Sequence, residues 1–108
     1  MDDYSKKRIA ELTPAAERGD KAAMFRLAET YACVASDCWN ITKQELIKYS
    51  GIALRWLEAS ANANYLPALI ELARIYENEL GDIRYGIYSG NRELAQKYRA
   101  KAAKLGKA

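Results

Sequence analysis

The chain writes one phrase twice, and that repetition constrains its fold more than any single residue. AAERGDKAAMFRLAETY starts at Ala15 and SANANYLPALIELARIY starts at Ser60; aligned, they match a small pair at Ala15-Ala16 and Ser60-Ala61 and a turn residue at Gly19 and Asn64. The match continues with Ala23 and Ala68, Leu27-Ala28 and Leu72-Ala73, and Tyr31 and Tyr76, every pair 45 residues apart. A third fragment, AAKLGKA from Ala102, ends the sequence. Self-similarity at such a period marks stacked supersecondary units, each of which buries its apolar face against its neighbours. A binding scaffold is therefore expected.

The repeated phrase is helical in its period. Ala23, Met24, Leu27, Ala28 and Tyr31 recur at three- and four-residue spacing over residues 20–32, and Ala68, Leu69, Leu72, Ala73 and Tyr76 do so over 66–78. Both read as amphipathic helices of about three turns. Ile47, Ile52, Ala53, Trp56, Leu57, Ser60 and Ala61 give a longer helix over 43–62; Leu94, Ala95, Tyr98, Ala102 and Leu105 give another over 91–105. No alternating, β-branched segment stands between turn signals, so no sheet is expected.

Turn chemistry sets the boundaries. Gly19, Asn64 and Gly106 each follow a small-residue turn, where a left-handed helix cap favours glycine and then asparagine. Thr42 followed by Glu45 spells a capping box, Asn91 suits an N-cap, and Pro67 fits a first helical turn. Pro14 falls inside a helix expected from about Asp3 to Arg18, which predicts a kink or a restart capped by Thr13.

Charge and composition narrow the class. At 108 residues the chain is one domain by size, and 50% hydrophobic with 29% charged residues argues against disorder. The apolar runs are short and broken by charges, and Met1-Asp2-Asp3-Tyr4 is the reverse of a secretory start, so the chain reads as cytoplasmic. A periplasmic or secreted location would follow instead if a signal peptide had been removed and Cys33 and Cys38 were oxidised. The net charge of +3 is uneven: residues 92–108 carry six Lys and Arg against Glu93 alone. An acidic partner or nucleic acid would suit that end. Cations at a helix C-terminus and on a solvated outer face explain it more simply, since such charge runs are usually solvated faces, and this weighs against nucleic acid.

Histidine is absent, no phosphate-binding glycine loop occurs, and the carboxylates are scattered over helical surfaces. An enzyme is not expected, nor is a cofactor or a metal. Cys33 and Cys38 are five residues apart, a spacing that a loop can close into a disulfide but that lacks further metal ligands; a reduced pair is the cytosolic default.

Two motifs carry a family resemblance. Ala53-x-x-Trp56-Leu57-x-x-Ser60-Ala61-x-x-Asn64 and Ala95-x-x-Tyr98-Arg99-x-x-Ala102-Ala103-x-x-Gly106 resemble the A-x-x-W-Y-x-x-A-A-x-x-G signature of Sel1-like repeats, relatives of tetratricopeptide repeats. The phrase A-x-x-x-L-A-x-x-Y resembles the other half of that repeat. The resemblance covers most of residues 9–108. It implies an all-α fold: a right-handed α-α superhelix of about two helical hairpins (repeat one 19–63, repeat two 64–108) preceded by an N-terminal helix at 3–18. It also implies a non-enzymatic protein whose short helices line a concave surface that holds other proteins. The connectors depart from the family pattern, being longer, and the second is glycine-rich yet contains Ile83, Tyr85, Ile87 and Tyr88. Those side chains either bind a partner or fold back over the core. Some Sel1-like proteins are exported and disulfide-bonded.

Within the stacked arrangement Ala28, Ala73, Ala61 and Ala103 are expected to allow close helix approach, with Leu27, Leu72, Trp56, Tyr98, Tyr31 and Tyr76 filling the space between. Arg26 corresponds to Glu71 and Glu29 to Arg74, so stacking is expected to pair them across the two short helices. Phe25 and Ile70 correspond as the floor of the groove or as core residues. The candidate partner-binding residues are thus Phe25, Arg26, Glu29, Ile70, Glu71, Arg74, Tyr85 and Tyr88. The partner expected is another protein held by a small adaptor or inhibitor; a bacterial immunity protein that neutralises a toxin is a special case suited to so short an array. The alternative is nucleic acid bound by the basic C-terminal helix.

Overall fold

Local capping chemistry writes most of the helix starts. In the computed structural model, which describes residues 1–37 and 40–106, α1 (Asp3–Glu17) begins where the Asp2 carboxylate accepts the Ser5 N–H at 2.7 Å. α2 (Lys21–Ser36) begins at Asp20, whose carboxylate accepts the Ala23 N–H at 3.1 Å. α3 (Lys43–Asn62) carries the full capping box: Glu45 N–H donates to Thr42 Oγ1 at 3.1 Å, and Thr42 N–H donates to Glu45 Oε1 at 3.0 Å. α4 (Leu66–Glu77) has Pro67 in its first turn, and α5 (Arg92–Gly106) starts from Asn91, whose side chain accepts the Leu94 N–H at 3.1 Å. Each such cap is worth roughly 1 kcal/mol.

The helices match the periodicity, with three corrections. α1 runs without interruption through Pro14, so neither a restart nor a Thr13 cap occurs; Thr13 Oγ1 instead donates to the Ile9 carbonyl at 2.5 Å, one turn back in the same helix. Only the last turn of α1 follows Pro14, so few backbone bonds are exposed to its effect. α2 extends a turn beyond residue 32 because Ala32, Val34 and Ala35 are buried and hold that turn in place. Gly106 is the last helical residue of α5 rather than a left-handed cap.

The described residues form an all-α protein of five helices packed in sequential pairs: α1 on α2, α2 on α3, α3 on α4 and α4 on α5. The Cα envelope measures 40 × 32 × 14 Å, so the array is about two helices deep and each helix keeps a broad solvent face. No helix among the described residues is long and apolar enough to cross a membrane.

Two apolar clusters stabilise the array. One joins α2, α3, α4 and α5 through Ala28, Leu57, Leu69, Leu72, Ile75 and Ala102; the other seats α1 on α2 through Ala16, Ala23 and Leu27. Tyr31 and Trp56 pack against both. Fully burying a leucine side chain contributes about 1.5–3 kcal/mol, so these leucines account for much of the cohesion. Ala28, Ala61 and Ala73 are buried, as close packing requires, but Ala103 is exposed and Ala102 takes its place. α5 is the last described helix, and the face that carries Ala103 has no neighbour among the described residues. The buried Ser60 hydroxyl donates to the Lys21 carbonyl at 2.8 Å, tying the end of α3 to the start of α2.

The segment between α4 and α5 is ordered by its own hydrogen bonds. A single 3-10 turn, η1 (Ile83–Tyr85), is closed by an antiparallel bridge in which Asp82 N–H donates to the Ile87 carbonyl at 2.7 Å and Ile87 N–H donates back at 3.2 Å. Gly81 has φ +66°, and a Cβ there would collide with the Ile87 backbone, so this turn requires glycine on two counts. η1 packs against α2 and α3, and Tyr85 and Ile87 enter the core.

Candidate functional site

A groove runs along the exposed face of α2. Its inner part, about 250 Å³ in volume, lies between α2, α4 and η1 and is lined by Phe25, Glu29, Glu71, Arg74, Arg84 and Tyr85 among others. Five of these were legible in sequence as candidate binding residues: Phe25, Glu29, Glu71, Arg74 and Tyr85. Helical spacing puts Phe25 and Glu29 one turn apart on α2, and Glu71 and Arg74 likewise on α4. The outer part of the groove, about 630 Å³, lies between α1, α2 and the segment before α3, and takes in Arg8, Arg26, Glu29 and Cys33. Glu29 and Cys33 line both parts.

Phe25 is half-buried, with its ring edge-on to Tyr65 at 5.6 Å between centroids, so it forms a fixed wall. Tyr85 is 3% exposed and closes the floor from below; burial pushes its phenol well above the usual tyrosine range, and it stays protonated. Ile70 is exposed but lies outside the cavity, as does Tyr88 on the surface of the α4–α5 segment. The second connector thus divides: Tyr85 and Ile87 turn inward, while Leu80, Ile83 and Tyr88 are exposed.

The expected cross-helix ion pairs are not formed. Arg74 hydrogen-bonds Glu71 on its own helix, with Nε to Oε1 at 3.2 Å, and reaches Asp82 at 3.4 Å; no ion pair joins Arg26 to Glu71 or Glu29 to Arg74. The reason is proximity. Glu71 is one turn from Arg74, and the α4–α5 segment delivers Asp82 to the same guanidinium. Asp82, with a side chain 12% exposed, also accepts from Arg84: backbone N–H at 3.0 Å, Nε at 3.0 Å and Nη2 at 2.7 Å. Burial alone would raise the Asp82 carboxyl, but these bonds and the Arg84 and Arg74 charges hold it below the usual range. Asp82 and Arg84 were not legible as site residues, because it is the contact of Asp82 with Arg74 on α4, made by the folded-back α4–α5 segment, that brings their local pair to the groove wall.

Glu29 is left with the opposite balance. Burial and then the Glu71 charge raise its carboxyl above the ordinary value, partly offset by Arg26 and Arg8.

Among the described residues no three of His, Cys, Asp or Glu come together as metal ligands would. Cys33 is exposed near the end of α2, and Cys38, with which a loop could close a disulfide in place of the expected reduced pair, lies outside the described residues. On α5, Arg92, Lys97, Lys101 and Lys104 are exposed, while Arg99 makes a two-pronged pair with Glu77 at 2.8 and 2.9 Å. The groove presents the Phe25 and Tyr85 rings, the Arg74 and Arg84 guanidiniums oriented by Glu71 and Asp82, and the Glu29 carboxylate. Comparison with family models, with curated proteins and with solved structures found no match for the chain.

Proposed function

We propose that this protein is a non-enzymatic protein-interaction module that grips its partner in the groove along α2. The observation that carries the reading is convergence: Phe25 and Glu29 from one copy of the repeated phrase and Glu71 and Arg74 from the other meet around a single cavity. Grooves with rigid aromatic walls and oriented charges are common sites of protein recognition. In this reading the α2–α3 and α4–α5 hairpins are two Sel1-like repeats in a right-handed superhelix, with α1 covering the first. Support comes from the matched helix closures at Gly19 and Asn64. A small adaptor or inhibitor fits such an array, a toxin-binding immunity protein being the special case.

The competing reading, nucleic acid on α5, draws on its exposed cations. Affinity capture from the source cell with wild-type protein and with Arg26→Glu and Arg74→Glu variants separates the two. The groove reading expects a discrete protein that both variants lose. Retention of that protein by both, with loss on Lys97→Gln/Lys101→Gln and a steep decline with salt, would move the site to α5.

A further inference from the structure

We propose that the outer part of the groove is a receptor for an acidic side chain flanked by apolar residues on a partner peptide, with Arg8 and Arg26 as its ligands; this rests on the groove being the binding face. Arg8 comes from α1 and Arg26 from α2, and both line the same cleft of about 630 Å³. Arg74, Arg84 and Arg99 are each in an ion pair, whereas among the described residues no carboxylate lies within 4.0 Å of a guanidinium nitrogen of Arg8 or Arg26.

Two of the three carboxylates that share the cleft are otherwise engaged. Asp2 accepts the Ser5 N–H at 2.7 Å as the cap of α1, and Asp37 accepts the Asn40 side-chain amide at 2.9 and 3.1 Å. Glu29 is near enough for both arginines to act on its charge, yet it makes no ion pair with either. Two guanidinium forks without partners, in a partly enclosed cleft, match the planar geometry of a carboxylate.

The surroundings select the kind of anion. Asp2, Glu29 and Asp37 repel a polyanion that must thread its charges past them, so a phosphodiester chain fits poorly. A lone carboxylate meets that repulsion only once, and the Arg8 and Arg26 charges beside it offset it. Tyr4 and Ile41 add apolar wall beside the arginines, which suits an aliphatic or aromatic neighbour of the acidic residue.

The test is a random peptide library displayed on phage and selected against the intact protein, with the selected peptides then measured in solution. Peptides carrying Asp or Glu beside an apolar residue are expected. Their affinity should fall about tenfold on Arg8→Gln or Arg26→Gln, which removes charge-assisted hydrogen bonds. It should also fall with ionic strength and on replacing the peptide's Asp or Glu by Asn or Gln. Glu29→Gln, which keeps the shape of the cleft and removes the competing charge, should tighten binding severalfold. Circular dichroism checks that each variant is folded. The inference is overturned by selected peptides with no acidic bias, by acidic peptides that both arginine variants and Glu29→Gln bind unchanged, by a single-stranded oligonucleotide that competes for Arg8 and Arg26, or by a selection that enriches nothing. If the peptides lose affinity on Arg74→Glu but not on the arginine substitutions, the groove stands and this receptor does not. Peptides indifferent to both sides of the groove would end both readings.

Discussion

Gly19 and Asn64, 45 residues apart, close two helices with the same pair of hydrogen bonds. Both have left-handed backbone, φ 97° and 63°. Gly19 N–H donates to Ala16 and Asp20 N–H to Ala15, each at 3.0 Å; Asn64 N–H donates to Ala61 at 2.9 Å and Tyr65 N–H to Ser60 at 3.1 Å. This is the Schellman closure, in which orphan carbonyls at a helix end are satisfied by the reversing chain. Repetition of sequence here is repetition of a backbone device.

That device has a measurable cost at each copy. An added Cβ at Gly19 meets nothing within 4 Å, so Gly19→Ala isolates the backbone term and is expected to destabilise by about 1 kcal/mol. Asn64→Gly is expected to be neutral or slightly stabilising, and Asn64→Val to cost about 1–2 kcal/mol. Urea denaturation measures all three; equal stability of Asn64→Val and Asn64→Gly would contradict the left-handed assignment.

Close helix approach depends on Ala28, which has no exposed surface. Ala28→Leu should overpack the interface at about 1–3 kcal/mol. Ala103→Leu, on the open face of α5, should stay within about 0.5 kcal/mol. Thermal unfolding of both variants checks the contrast, and an unchanged Tm for Ala28→Leu would argue against the packing described.

Asp82 links the α4–α5 segment to the groove wall, and its protonation should loosen both. Its folded carboxyl titrates below the ordinary 3.8, so the stabilisation is present above that pH and is lost as pH falls through the lower, folded value. Asp82→Asn should therefore destabilise by about 1–3 kcal/mol at pH 7 and flatten the acid limb of the stability profile. Acid titration of wild type and variant followed by circular dichroism tests this: parallel acid limbs would rule it out.

Glu29 should behave in the opposite sense. Its folded carboxyl titrates above the ordinary 4.5, so the native state holds the proton longer than the unfolded chain, and stability declines as pH rises through that window. Glu29→Gln is expected to raise Tm at pH 7 and to leave it nearly unchanged at pH 4. A variant less stable than wild type at pH 7 would mean that the charge is matched by a partner in the fold.

What could be read in sequence was what is local. Capping at Thr42 and Asn91, the left-handed turns at Gly19 and Asn64, and the apolar faces of α2 and α4 depend on residues within a turn of one another, and periodicity exposes them. Pairing across the fold was not legible. Tyr31 stacks on Tyr49 at 6.2 Å and Tyr76 on Tyr98 at 6.1 Å, so equivalent tyrosines find partners at different positions of the repeat motif, in which Tyr98 matches Trp56 and not Tyr49. The unequal connectors shift the register of α3 and α5 against the short helices, and sequence alignment does not carry that shift. For the same reason Arg8 was missed: its place in the groove is set by the seat of α1 on Ala23 and Leu27. Asp82 was missed because Arg74 on α4 reaches it only after the α4–α5 segment has folded back.

Amide hydrogen exchange on the complex between this protein and the partner captured from its source cell tests the groove most directly. The account expects new protection on the outward face of α2, around residues 25–33, together with residues 70–75 of α4 and the η1 turn, and little change on α5. Protection confined to α5, or to the exposed Leu80 and Tyr88 edge, would contradict it.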